Sequence, residues 1–114
     1  MPDDIPERDW KYMRKHQETL FELLCQRVNR GSADILAAGE KSAVEKYRAL
    51  WNHLRDSDRI VADCFDDWRR STLTEKLFLL KRHGLLEPEH QENLSEATRK
   101  RIAAFEQIQR ELSR

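Results

Sequence analysis

The apolar positions of this chain recur at steps of three and four, the period of a helix. The clearest run is Val44, Tyr47, Trp51, Leu54, Val61, Phe65 and Trp68. With Asp58 filling its one gap, the spacing alternates between three and four throughout, as in the a/d seam of a heptad repeat. Ser42 and Glu45 stand in front of it with the spacing of a capping box, so the pattern predicts a helix from Ala43 to Arg70, about 40 Å long at 1.5 Å per residue. The stretch His53 to Arg59 is almost entirely polar, and Asp56 or Ser57 could cap a new helix there. The heptad phase is the same on both sides, which favours one continuous helix.

The other elements follow from the same reading. Trp10, Met13, Gln17, Leu20, Leu24 and Arg27 mark a first helix from Pro6 or Asp9 to Arg30, with Gly31 as its C-cap. Residues 31–42 form the connection, in which Ile35 and Leu36 make at most a short turn. Thr72 and Glu75 repeat the capping-box spacing at the start of a third helix, which carries Leu73, Leu77 and Leu80 inward. Gly84 ends that helix, and Leu85 follows where a Schellman motif places its apolar contact. Pro88 opens a short helix over Glu89 to Glu92. Ser95 starts a last helix with Ile102, Phe105, Ile108 and Leu112 on one stripe. Residues 1–8 read as a flexible lead-in and residues 9–114 as a single helical domain. The expected fold is therefore all-α: a small helical bundle with two long helices, a short helical hairpin and a C-terminal helix.

Composition sharpens this picture. The 114 residues are 39% hydrophobic and 37% charged, which suits extended helices with one apolar stripe better than a deep core. Lys+Arg and Asp+Glu are both 21, so the chain lacks the basic excess of a generic polyanion binder. Neutrality also leaves little self-repulsion to oppose self-association. Cys25 and Cys64 form no CxxC and read as reduced, core-facing thiols. The acidic N-terminal residues are unlike a signal peptide, and no apolar run approaches a membrane span, so a cytoplasmic location is expected.

Candidate chemistry is sparse. Asp58 in the seam is either a register-setting or oligomer-setting device or a point where the seam opens to water, with Arg55 or Arg59 beside it. Glu87 and His90 have the Glu-x-x-His spacing of di-iron bundles, in a single copy at a Pro-marked turn. Arg48 and His53 resemble, in spacing, the motif of HEPN-type ribonucleases, with Ala49 where a polar residue usually follows the arginine. That resemblance would imply a helical-bundle nuclease. Basic clusters at Arg14-Lys15-His16, Arg69-Arg70, Lys81-Arg82-His83 and Arg99-Lys100-Arg101 each have acidic neighbours. The segment Leu77 to Leu94 resembles the SHOCT helical hairpin, with Glu89-His90-Gln91 in place of that family's acidic-acidic-Phe step. This resemblance implies an oligomerisation role.

No catalytic, cofactor-binding or metal residue is assigned, and no cofactor or small-molecule substrate is expected. A 40 Å seam needs a partner along its whole length, more than a first helix of about 22 residues supplies. The expectation is a noncatalytic adaptor or scaffold module. It would form a homodimer through Val44, Tyr47, Trp51, Leu54, Asp58, Val61, Phe65 and Trp68, and bind a further protein. The alternative is a nucleic-acid-binding or regulatory protein, and a helical-bundle nuclease or metal-dependent enzyme comes third.

Overall fold

The structure, a computed structural model, describes residues 5–113. The described residues are all-α and form five helices: α1 (Glu7–Ala37), α2 (Ala43–Phe65), α3 (Leu73–Arg82), α4 (Pro88–Asn93) and α5 (Glu96–Leu112). The two long helices, the short hairpin and the C-terminal helix are all present, in an elongated body of 55 × 35 × 23 Å. The core lies at one end. Met13, Leu20 and Leu24 of α1 pack with Cys64 of α2, with Leu73, Leu77 and Leu80 of α3, with Leu85, Leu86 and Leu94 of the segments flanking α4, and with Ile102 of α5. Among the described residues none between Leu24 and Ser57 is buried. The second half of α1 and the first half of α2 thus form an antiparallel arm with no third layer over it.

Several boundaries differ from those the sequence implied, each for a local reason. The lead-in is not loose up to residue 8: Ile5 is fully buried, its carbonyl accepts from Arg70 Nε at 2.7 Å, and α1 begins at Glu7. Residues 1–4 lie outside the described residues. α1 does not stop at Arg30 but continues through Gly31 for 31 residues in all. Gly31 is there for space, because the ring of His53 lies so close that a Cβ would meet its Cε1 at 2.7 Å. That ring also bonds the carbonyl of Val28, Nε2 to O at 2.9 Å. Replacing Gly31 with alanine would normally favour a helix by about 1 kcal/mol. Here the ring has to swing away, so Gly31→Ala is expected to lower stability by about 1 kcal/mol, and to raise it by about as much in a His53→Ala background. A denaturant double-mutant cycle measures this coupling of about 2 kcal/mol.

α2 runs unbroken through Asp56–Asp58 but ends at Phe65, short of Arg70. Its capping box forms as expected. Ser42 Oγ accepts from the amide of Glu45 at 3.1 Å, and the amide of Ser42 donates back to Glu45 Oε1 at 3.3 Å. The second box does not form. Thr72 Oγ1 donates to the carbonyls of Asp67 and Arg69 and accepts from the amide of Arg69, so it closes the α2–α3 loop instead of capping α3. Asp67 takes a left-handed conformation in that loop, with Arg69 Nε 2.8 Å from its carboxylate. Gly84 ends α3 at φ +70°, with the Leu85 amide on Leu80 O and the Gly84 amide on Lys81 O, the two bonds of a Schellman motif. The segment likened to a SHOCT hairpin uses its leucines internally, since Leu77, Leu80, Leu85, Leu86 and Leu94 are all buried. α4 spans Pro88–Asn93, slightly longer than Glu89–Glu92.

The helix ends are closed from a distance, mostly by α1. The buried carboxylate of Asp9 accepts from the Ser95 amide at 3.0 Å, from Ser95 Oγ at 2.6 Å and from Thr98 Oγ1, and so caps the N-terminus of α5. Arg8 donates to the last carbonyl of α4, and Arg27 donates to His83 O and Gly84 O at the end of α3. Lys76 Nζ and Trp68 Nε1 serve the last turn of α2, on Asp63 O at 2.9 Å and Cys64 O at 2.6 Å. The bonds to backbone amides and carbonyls satisfy groups at helix ends that the helix itself leaves without a partner.

Candidate interaction surface

The helical period places two stripes on α2. One consists of Leu50, His53, Ser57, Ile60 and Cys64, at steps of three and four, and it is this one that faces α1 and the core. Its polar members are satisfied locally: Ser57 Oγ donates to His53 O at 2.7 Å, and His53 holds Val28 O. The other stripe is the heptad seam, about a third of a turn away. Its C-terminal part is half-covered. Val61, Phe65 and Trp68 pack on the rim of the core, Phe65 edge-on to Phe21 at 5.2 Å and parallel to Trp68 at 6.1 Å. Its N-terminal part is open. Val44 is 57% exposed, Tyr47 69%, Trp51 54% and Leu54 43%. Within the chain the seam is therefore divided: its C-terminal part lies on the rim of the core and its N-terminal part faces outward.

Asp58 is exposed and does not sit in a buried seam of this chain. Arg55 and Arg59 lean towards Asp56, at 3.9 and 4.0 Å, and not towards Asp58. Arg55 also lies over the Trp51 ring, 4.9 Å from its centroid, a cation–π contact on the open face. Arg48 borders the same open patch, with Tyr47, Trp51 and Asn52. On α1, Leu36 is 53% exposed and follows Phe21 by about four turns, so it lies on the side of the arm that Phe21 shares with Phe65.

The remaining candidates separate. Arg48 and His53 do not converge: His53 is turned into the α1 contact, whereas Arg48 lies on the open face. The Glu87–His90 pair forms a local cap, with His90 Nδ1 accepting from the Glu87 amide at 3.2 Å, and the His90 ring meets His16 edge-on. Among the described residues no group of three or more His, Cys, Asp or Glu is placed to hold a metal ion. Members of each basic cluster have local partners. Arg14 lies over Trp10, Arg69 pairs with Asp67, Lys81 with Glu106 at 2.8 Å, and Lys100 with Glu96 at 3.3 Å. No helix of the described residues is long and apolar enough to cross a membrane.

The two cysteines form no disulfide and differ in environment. Burial, reinforced by Asp63 and only partly offset by Lys76, pushes the Cys64 thiol up to about 11. At pH 8 its thiolate fraction is roughly 100-fold below that of an ordinary thiol, and its surroundings exclude reagents as well. Alkylation of the native protein should therefore label the half-buried Cys25 first and Cys64 only on unfolding, as mass spectrometry of timed samples will show.

No protein family, curated protein or solved structure matches this chain.

Proposed function

We propose that this chain is a noncatalytic helical interaction module that assembles with a second copy of itself through the open half of α2, in the manner of an adaptor or scaffold. The observation behind this reading is the run Val44, Tyr47, Trp51 and Leu54, unbroken at heptad spacing and exposed on an arm that contains no buried residue. Exposed aromatics in such a line are the residue type that anchors interfaces, and water around them is released on contact. A zero net charge removes long-range repulsion between copies. Two cysteines without a disulfide fit a reducing compartment, and we place the module in the cytoplasm. A further protein partner would then be bound by the assembled pair.

Light scattering during size exclusion tests this reading. The expected mass is twice the 13.6 kDa of one chain at micromolar concentration, and a monomer throughout that range overturns it. A second reading rests on Arg48 and Arg55 beside Tyr47 and Trp51, since cations interleaved with aromatics also suit a single-stranded nucleic acid. That reading requires binding to a mixed DNA and RNA panel that weakens steeply with salt.

A further inference from the structure

Resting on the self-assembly reading above, we infer that the two copies pair through α2 in one defined antiparallel register, about a two-fold axis level with Ala49. In an antiparallel coiled coil each a position packs against a d position of the other helix, so only registers half a heptad apart are in phase. With the axis level with Ala49, Tyr47 meets the partner's Trp51 and Val44 meets the partner's Leu54. The four open seam residues are then consumed by one another, with none left over. Moving the axis towards the C-terminus by the smallest in-phase step places Tyr47 against the partner's Asp58 and Val44 against the partner's Val61, which is already half-covered. Moving it the other way carries Trp51 and Leu54 past the start of the partner's α2, which begins at Ala43. The exposure pattern therefore selects a register that the heptad alone leaves open.

The area is of the right order. The four side chains expose on the order of 500 Å², the centre of the roughly 800 Å² that each partner gives to a stable interface, and the stems of Arg48 and Arg55 border it. In this register Asp58 lies past the apolar contact, level with the partner's Glu40 and the partner's Lys41 ahead of its α2. The polar gap in the seam thus marks the end of the apolar contact. Arg48 and Arg55 of both copies come to one edge of the pair, so their repulsion is screened by salt, and the dimer tightens as salt rises.

Cysteine cross-linking tests the register. In a Cys25→Ser background, Val44→Cys and Leu54→Cys variants of different tag mass are mixed and oxidised gently. The expected product is a mixed disulfide dimer of both tags, with little product from either variant alone. Both positions are exposed, and circular dichroism verifies that the helices are retained. A chain that has the dimer mass but joins Tyr47→Cys to Asp58→Cys, or joins neither pair, overturns the register and leaves self-assembly standing. A chain that is monomeric by light scattering overturns both.

Discussion

Replacing Asp9 with alanine is expected to lower stability by about 3 kcal/mol, the largest effect of any single substitution considered for this chain. The carboxylate is fully buried and accepts from three donors at the start of α5. Removing it leaves the Ser95 amide and the Thr98 hydroxyl without their acceptor, at a desolvation cost of about 1–3 kcal/mol each if water does not enter, while the Ser95 hydroxyl can turn to Thr98 Oγ1 at 3.2 Å. It also takes a negative charge from the positive end of a helix, worth about 0.5–1 kcal/mol, and breaks a link between the first and last helices. Asp9→Asn keeps one acceptor oxygen, and its amide donors can turn only to hydroxyls, so about half the loss is expected. Glu7→Ala, two residues earlier on the exposed side of the same helix, should cost less than about 0.5 kcal/mol. Urea unfolding of the three variants checks the ranking, and an Asp9→Ala protein as stable as Glu7→Ala would show that the buried carboxylate is replaceable by water.

Trp51→Glu is expected to abolish self-association while leaving the fold intact. Trp51 is exposed and lies on the arm away from the buried core, with Arg55 over its ring. Nothing in the core therefore loses a neighbour. At an interface centre, truncating a tryptophan costs 2 kcal/mol or more, about a 30-fold weaker dimer, and an added carboxylate facing apolar side chains makes it worse. The measurements are mass by light scattering and helicity by circular dichroism. A variant with unchanged helicity that still runs at the wild-type dimer mass would move the contact away from this face. Val61→Glu is a useful contrast: its half-buried position on the core rim means a loss of stability accompanies any loss of assembly.

How far the fold could be read from sequence depended on the range of the interactions involved. The capping box at Ser42 and Glu45, the Gly84–Leu85 stop and the start at Ser95 are made by residues within a few positions of one another, and all three formed as read. Thr72 shows the limit even of local signals. Its spacing to Glu75 was right, but the αL turn at Asp67 offered its hydroxyl nearer backbone groups. Gly31 was read as a stop because helix caps and close approaches select the same residue for different reasons, and the deciding ring, His53, is far away in sequence. The inner face of α2 was hidden because His53 and Ser57 are polar. Their burial becomes favourable only after Val28 and the α2 backbone satisfy them. The aromatic seam looked more like a core than the core did. The link from Asp9 to Ser95 carries no periodic signal at all. The expected interface residues from Val44 to Phe65 lie on one stripe of α2, with Trp68 in the loop beyond it, and that stripe is divided between the chain's own rim and open surface.

The capping of other helices by Arg8, Asp9 and Arg27 has a consequence for how this molecule comes apart. α3, α4 and α5 borrow their end groups from α1, so they cannot retain their termini once α1 leaves, and the last third of the chain is not an autonomous folding unit. The arm is the opposite case. Beyond Arg27 it contributes neither a buried residue nor one of those caps, so that part can open and re-close without disturbing them. The protein therefore has one all-or-none block, stitched together by its N-terminal residues, and one semi-independent lever. In an assembled pair the lever's own opening would be suppressed by the second copy, so the least stable part of the monomer is the part that association would rigidify most.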